Sequence, residues 1–184
     1  MTTALLLVDI QNDYFPGGAM ELAGMEAAAV RAAALLRACR RLERPIFHVQ
    51  HLAQRPGAAF FLPGTSGAEI HPAVKPRPGE TVLTKNYPNS FRDTGLTELL
   101  RGSGIDELVI AGAMSHMCID ATTRAAADLG FGCLVVHDAC AARDLSFGGA
   151  VIPAAQVHGA FMAALSPVYA RVLSLEEFLR TSKS

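Results

Sequence analysis

The sequence from Val109 to Phe131, VIAGAMSHMCIDATTRAAADLGF, contains the unit from which the fold can be predicted. It begins as an apolar run of strand length, passes through small residues and a short polar patch, and continues as a helix-forming segment. No proline or long loop separates the two parts, and a thiol, Cys118, lies at their junction. The pattern predicts a buried strand that leads directly into a helix, with Cys118 beside the end of the strand.

The same alternation of strand and helix patterns runs along the whole chain. The predicted strands are residues 4–9, 45–50, 81–85, 107–113 and 133–138, with a shorter sixth at 169–174. The predicted helices are residues 25–43, 94–101, 118–129, 148–165 and 174–180. Strands that are apolar almost throughout need helices on both faces of a parallel sheet. The sequence therefore predicts an α/β protein, a three-layer α/β/α, Rossmann-like fold with a six-stranded parallel sheet, as one domain over residues 1–184.

Composition argues against several classes of function. Sixteen Lys plus Arg against seventeen Asp plus Glu give a formal charge of −1 without a basic stripe, so we expect no nucleic-acid partner. The N-terminus lacks the pattern of a signal peptide, and no run approaches the roughly 20 apolar residues of a membrane span. We therefore expect a cytoplasmic protein with no membrane partner. The four cysteines lack CxxC spacing, and most should be free thiols in the core.

Residues 52–80 form a long connection that is rich in proline and glycine and shows little periodicity. Such a length is unusual for an ordinary loop. We expect this segment to fold over the edge of the sheet or over a functional site.

Three reactive side chains occur where predicted strands stop: Asp9, Lys85 and Cys118. Taken singly, an aspartate after a strand is more often a turn or cap residue, a lysine is usually solvated, and a cysteine is usually a small hydrophobic residue of the core. The carboxyl ends of parallel strands share one edge of the sheet, however, so the three should lie together. There a helix N-terminus and an ammonium group would lower the pKa of the thiol, and a carboxylate would accept its proton.

Three motifs resemble those of the isochorismatase-like cysteine hydrolases, a family that includes nicotinamidases, N-carbamoylsarcosine amidases and streptothricin hydrolases. They are DIQNDYF from Asp9, TKNYPNSFRDT from Thr84 and AGAMSHMCIDATTRAAADLGF from Ala111, and the resemblance covers nearly the whole chain. It implies the strand order 3-2-1-4-5-6 and a catalytic triad of Asp9, Lys85 and Cys118. It also implies a cis peptide between Ala113 and Met114 and an oxyanion hole made by the backbone N–H groups of Met114 and Cys118.

Residues that would contact the substrate are less well defined. Family positions near the pocket fall on Gln11, Phe15, Asn89, Ser90 and Phe91, and His116 lies beside the nucleophile in the turn. Family nicotinamidases bind a metal through Asp and His residues after the second strand, where this chain has His51 and Ala53. His48 and His51, three apart on a strand, face opposite ways. We therefore expect no metal ion and no cofactor.

These features favour a metal-independent cysteine hydrolase that cleaves a C–N bond of a small amide, lactam, ureido or carbamoyl compound through a Cys118 thioester. Two alternatives remain: vinyl-ether hydrolysis of the isochorismatase type, in which Cys118 would be dispensable, and a non-catalytic small-molecule-binding relative. Alanine-rich segments at residues 25–38 and 150–164 suit close helix packing, and relatives commonly assemble. We expect a homodimer or homotetramer.

Overall fold

Six parallel strands form the central sheet of the protein. The structure, a computed structural model, describes residues 2–182. The strands are β1 (Thr3–Val8), β2 (Ile46–His51), β3 (Thr81–Lys85), β4 (Glu107–Ala113), β5 (Gly132–Ala141) and β8 (Arg171–Leu173). Their spatial order is β3-β2-β1-β4-β5-β8, and every adjacent pair is parallel. The predicted fold class and strand order are confirmed.

Helices cover both faces of this sheet. They are α1 (Met25–Arg41), α2 (Leu96–Gly102), α3 (Asp120–Asp128), α4 (Ala154–Leu165) and α5 (Leu175–Thr181). Successive residues of a strand point to opposite faces, so a strand that is apolar throughout serves two cores. In β1, Leu5 and Leu7 pack in the core beneath α1 and α5, whereas Leu6 and Val8 pack in the core that includes α2, α3 and α4.

The prediction of one helix over residues 148–165 is wrong in its first part. Residues Leu145–Phe147 (β6) and Ala150–Ile152 (β7) form an antiparallel hairpin, and α4 begins only after Pro153. Gly148 and Gly149 both have positive φ, which a two-residue hairpin turn requires and which a helix does not allow. The apolar residues have a helical spacing, but the conformation of the two glycines ends any helix there and produces a hairpin turn.

The prediction of a helix from residue 118 also needs correction. An α-helix begins at Asp120, and residues Ser115–Ile119 form a π-helical turn before it. Single π-helical turns widen a helix locally and are frequent at functional sites. The sequence pattern could not distinguish a π-helical turn from an α-helical turn, because over one turn both place the apolar residues on nearly the same side of the helix. Cys118 therefore lies within this wider turn and not at the first residue of the α-helix.

Residues 52–80 lie against the carboxyl end of β1, as the sequence predicted for a covering segment. Phe61 is fully buried, and its backbone N–H donates to Asp13 Oδ2 over 2.6 Å. Farther along, Ile70 forms an antiparallel bridge with Gln11. Buried apolar and polar contacts thus hold this segment across the edge where Asp9 lies.

Two expectations about composition can be compared with the structure. The four cysteines are free and buried, as predicted. Within residues 2–182, no helix combines the length and the apolar character that crossing a bilayer requires.

Candidate active site

Asp9, Lys85 and Cys118 meet at the carboxyl edge of the sheet, at the point where the chain order reverses. Strand β1 pairs with β2 on one side and with β4 on the other, so Asp9 and the turn after β4 are neighbours. Lys85 is one strand farther away, because β3 pairs with β2. The lysine side chain is long enough to cross the end of β2, which explains how a residue of the third strand reaches the first.

The three side chains are in direct contact and almost completely shielded from water. Lys85 Nζ lies 2.8 Å from Asp9 Oδ2 and donates to Cys118 Sγ over 3.1 Å. The side chains of Asp9 and Lys85 have no solvent exposure, and Cys118 is 3% exposed. The buried carboxylate of Asp9 also interacts directly with the Cys118 thiol, which places it to accept the thiol proton.

The protonation state of the thiol differs from the expectation. Burial raises the pKa of Cys118, the carboxylate of Asp9 raises it further, and the ammonium of Lys85 only partly opposes them. For Lys85, burial lowers the pKa, but the interactions of the ammonium with Asp9 and Cys118 outweigh burial and raise it overall. The resting site therefore holds an ammonium group and a protonated thiol. Lys85 alone does not make Cys118 a thiolate, because burial acts more strongly than one cation.

The turn that carries the nucleophile depends on close packing of backbone. At Gly112 φ is +136°, and a Cβ atom at this position would overlap the carbonyl oxygen of Val8. The next peptide bond, between Ala113 and Met114, is cis. Inside the turn, the backbone N–H groups of Met117 and Ile119 donate to the carbonyl of Met114. An oxyanion hole made by the N–H groups of Met114 and Cys118 stays a prediction.

Gln11 has a structural role at the rim of this site. Its side-chain Nε2 donates to the carbonyls of His51 and Ala68, and its Oε1 accepts from the N–H of His51. The amide is fully buried and its polar atoms are occupied by these bonds. Phe15 stacks on His71, with ring centroids 3.6 Å apart. Both side chains hold the covering segment in place, and their contact with a substrate stays a prediction.

The residues after Lys85 also make structural contacts. Asn89 Oδ1 accepts from the N–H of Phe91, and the Phe91 ring stacks on Phe131. The buried Ser90 hydroxyl hydrogen-bonds to Thr122 Oγ1 over 2.8 Å, which ties this loop to α3. These contacts position the loop that follows Lys85, whereas substrate binding by Asn89 and Phe91 stays a prediction.

His116 lies in the nucleophile turn and is 9% exposed. Its ring packs edge-on against Phe161 of α4, and its buried Nδ1 has no hydrogen-bond partner within the described part of the chain. Burial, followed by the charge of Arg143, lowers the pKa of this imidazole. The packing against α4 gives His116 a structural role, and a contact with substrate stays a prediction.

Sequence reasoning considered His51 only as a possible metal ligand, and it did not consider Tyr14. His51 Nδ1 lies 3.2 Å from Lys85 Nζ and 3.9 Å from Asp9 Oδ2. Tyr14 lies close enough for Asp9 and Cys118 to raise the pKa of its phenol, an effect second to burial. His51 could have been found from its position, because it ends a strand next to those of Asp9 and Lys85. Tyr14 has no such signal, since it belongs to a short 3₁₀ turn after β1.

The metal-ligating atoms of Asp9, His51 and Cys118 all lie within 4.8 Å of one another. The ammonium of Lys85 contacts each of them, so a positive charge is already present where a metal cation would bind. This donor set therefore does not fit a metal ion. His48 points to the other face of β2, as predicted, and its Nε2 contacts Glu80 Oε2 at 2.9 Å.

Comparisons with known proteins match nearly the whole chain to one family. The Isochorismatase family model, which describes an isochorismatase domain, matches residues 3–177. The isochorismatase family protein YddQ from Bacillus subtilis is 53% identical over 98% of this chain and 100% of its own length. A crystal structure from Oleispira antarctica is 54% identical, covers 97% of this chain and 96% of its own, and has a TM-score of 0.94.

More distant relatives have names that state a reaction. A streptothricin hydrolase from Streptomyces noursei is 40% identical over 77% of this chain and 50% of its own length. A maleamate amidohydrolase from Pseudomonas putida is 32% identical over 73% of this chain and 70% of its own. The family model and YddQ each span nearly all of the chain. This protein therefore belongs to the isochorismatase family of hydrolases.

Proposed function

We propose that this protein is a metal-independent cysteine hydrolase that cleaves a C–N bond of a small amide, lactam, ureido or carbamoyl compound. The observation that carries the proposal is the buried contact of one ammonium group, Lys85 Nζ, with both Asp9 Oδ2 and Cys118 Sγ. A base, a cation and a thiol in mutual contact are the components of nucleophilic catalysis at a carbonyl carbon. Relatives named as amide hydrolases support the choice of bond.

The first half of the reaction forms a thioester. Asp9 accepts the thiol proton as Cys118 Sγ attacks the carbonyl carbon, because a thiol of raised pKa is not ionised beforehand. The negative charge moves from sulfur to the carbonyl oxygen, which the N–H groups of Met114 and Cys118 would bind. Asp9 then returns the proton to the nitrogen as the C–N bond breaks, and the amine leaves.

The second half releases the acid. Water attacks the thioester carbonyl, Asp9 takes one of its protons, and the C–S bond breaks as Cys118 regains a proton. The net change is the addition of one water molecule across the C–N bond. Lys85 stays protonated throughout and stabilises the anionic form of whichever partner, carboxylate or sulfur, carries the charge.

The test compares Cys118→Ala with Cys133→Ala on a panel of small primary amides, lactams and ureido compounds, followed by release of ammonia or amine. Loss of the nucleophile should reduce turnover by about 10⁴-fold or more. The control removes a buried thiol that lies outside the site and should retain activity. With a substrate that turns over, intact-protein mass spectrometry after rapid acid quench should detect the acyl group on Cys118. Turnover that survives in Cys118→Ala would reject the thioester mechanism and favour ether hydrolysis.

A further inference from the structure

His51 is a titratable side chain that contacts Lys85 of the triad and that the mechanism above does not use. Its backbone is held on both sides by the buried Gln11 amide, through bonds of 2.7 and 2.9 Å. Its ring lies 5.8 Å from that of Phe61 in the covering segment. The imidazole is therefore fixed between the end of β2 and the covering segment, beside the reacting groups.

The contact with Lys85 favours one tautomer of His51. Lys85 Nζ shares its three N–H groups among Asp9, Cys118, two backbone carbonyls and His51 Nδ1 at 3.2 Å. An ammonium group has no acceptor, so a proton on Nδ1 would be repelled and an unprotonated Nδ1 is attracted. Burial lowers the pKa of His51, and the charge of Lys85 adds to this, while Asp9 opposes it. The ring is thus neutral with its proton on Nε2.

The position of the ring determines where this proton points. Nδ1 faces Lys85 and Asp9, whose side chains have no solvent exposure, whereas the His51 side chain is 19% exposed. The accessible part of the ring is therefore the edge away from Nδ1, which includes Nε2. A neutral N–H donor fixed beside a nucleophile can bind an acceptor oxygen without neutralising the Asp9 carboxylate.

We propose that His51 is a specificity-determining residue whose Nε2–H donates a hydrogen bond to an acceptor oxygen of the substrate close to the scissile carbonyl. The ligands selected are amide-like compounds with a second carbonyl or carboxylate oxygen near the reacting carbon. Compounds with an ammonium group in that place have no lone pair to accept this N–H, and they are disfavoured. The proposal rests on the proposed function, because it assigns the substrate class of the same site.

The tautomer can be tested first, without a substrate. Two-dimensional ¹⁵N NMR of the histidine side chains, with the His51 signals assigned from a His51→Asn variant, should show the proton on Nε2 from about pH 6 to about pH 8. A proton on Nδ1, or a charged ring near neutral pH, would overturn the proposal. This result does not depend on whether Cys118 acts as a nucleophile.

The second test uses two variants that each keep one ring nitrogen's function. In His51→Asn the side-chain oxygen still accepts from Lys85, but no N–H remains at the position of Nε2. In His51→Gln an N–H remains near that position, but the acceptor for Lys85 is lost. With an amide substrate that bears a second acceptor oxygen, His51→Asn should raise KM by about 3- to 10-fold with little change in kcat, whereas His51→Gln should restore KM.

The control is His137→Asn, which removes a half-buried histidine of β5 and should leave KM unchanged. Thermal unfolding of the variants shows whether each is folded at the assay temperature. Three results would overturn the proposal: equal KM values in all forms, an equal rise in KM in both His51 variants, or a rise in KM only in His51→Gln. If the parent protein turns over no amide while the NMR spectrum shows the proton on Nε2, the proposed function fails and the tautomer assignment stands separately.

Discussion

The carboxylate of Asp9 and the ammonium of Lys85 act on the Cys118 thiol in opposite directions. Asp9 raises the pKa of the thiol after burial has already done so, and Lys85 lowers it. The carboxylate thus keeps the nucleophile protonated until a substrate arrives, and the same carboxylate is placed to remove the proton. A thiol of this kind reacts with a bound carbonyl more readily than with a reagent from solution.

This balance predicts an unusual effect of Asp9→Asn. Removing the carboxylate leaves Lys85 as the dominant charge beside Cys118, so the pKa of the thiol should fall. At about pH 7 alkylation of Cys118 by iodoacetamide should be faster in Asp9→Asn than in the parent, by about 10-fold, although amide turnover is lost with the base. In the parent, the alkylation rate should rise about tenfold per pH unit without a plateau near neutral pH, because the thiol pKa is raised.

Peptide mapping after brief alkylation measures both rates, with Cys39 as the internal control. Burial raises the pKa of Cys39 to about 11, and this residue lies in α1, away from Asp9. Its alkylation rate should be the same in both proteins. Slower alkylation of Cys118 in Asp9→Asn than in the parent would contradict the charge balance described for the site.

At the scale of the elements, the approach of β4 to β1 sets the position of the nucleophile turn. Parallel pairing runs from Thr3 with Glu107 to Val8 with Gly112. At its last pair the strands are so close that only glycine fits, because a Cβ atom at Gly112 would overlap the backbone of Val8. The β4–β5 register also shifts between Ile110 and Gly112. The end of β4 is thus shaped by backbone packing before the turn to Cys118 begins.

A pair of glycine substitutions tests this conclusion. Gly112→Ala should destabilise the protein by several kcal/mol or prevent folding, since the new methyl group overlaps backbone atoms and φ is strained. Gly102→Ala, at the last residue of α2 and away from α4, adds a methyl group that meets no atom within 4 Å apart from its chain neighbours and its own helix backbone, so it should stabilise the protein by up to about 1 kcal/mol. Urea unfolding of both variants gives the comparison. A Gly112→Ala protein as stable as the parent would show that β4 can move away from β1.

At the scale of the whole molecule, one surface is poor in charge. From Leu145 to Leu165 the sequence contains no Asp, Glu, Lys or Arg. On the β6–β7 hairpin, Phe147 is 81% exposed and Val151 is 65% exposed. The exposed residues of α4 are mostly small, among them Ala155, Ala160 and Ala164. Exposed apolar side chains, together with a helix whose exposed side chains are small, are typical of a surface that contacts another protein.

We propose that this hairpin and α4 face a second copy of the chain in a homodimer or homotetramer. Sedimentation velocity should show an assembly for the parent protein. The double variant Phe147→Lys and Val151→Lys should shift it to smaller species, because burying two added charges is costly. Val168→Lys, on another exposed apolar residue outside the hairpin and α4, is the matched control and should assemble normally. A parent protein that sediments as a monomer would contradict the proposal.

The sequence by itself determined the alternation of strands and helices, the parallel sheet and the identity of Asp9, Lys85 and Cys118 as reactive residues at strand ends. These features follow from local hydrophobic periodicity and from the rule that parallel strands share their carboxyl edge. The strand order came from the family resemblance. Local patterns did not reveal the β6–β7 hairpin, because two glycines with positive φ interrupt a helix-like spacing.

Only the tertiary structure decided the protonation of Cys118 and the membership of His51 in the site. The pKa of a thiol depends on how deeply it is buried and on which charges lie within a few ångströms, and sequence spacing contains neither quantity. The place of His51 depends on the register between β2 and β3, which sets this residue opposite Lys85. Contacts between strands far apart in the sequence create these properties, so they become visible only when the sheet is assembled.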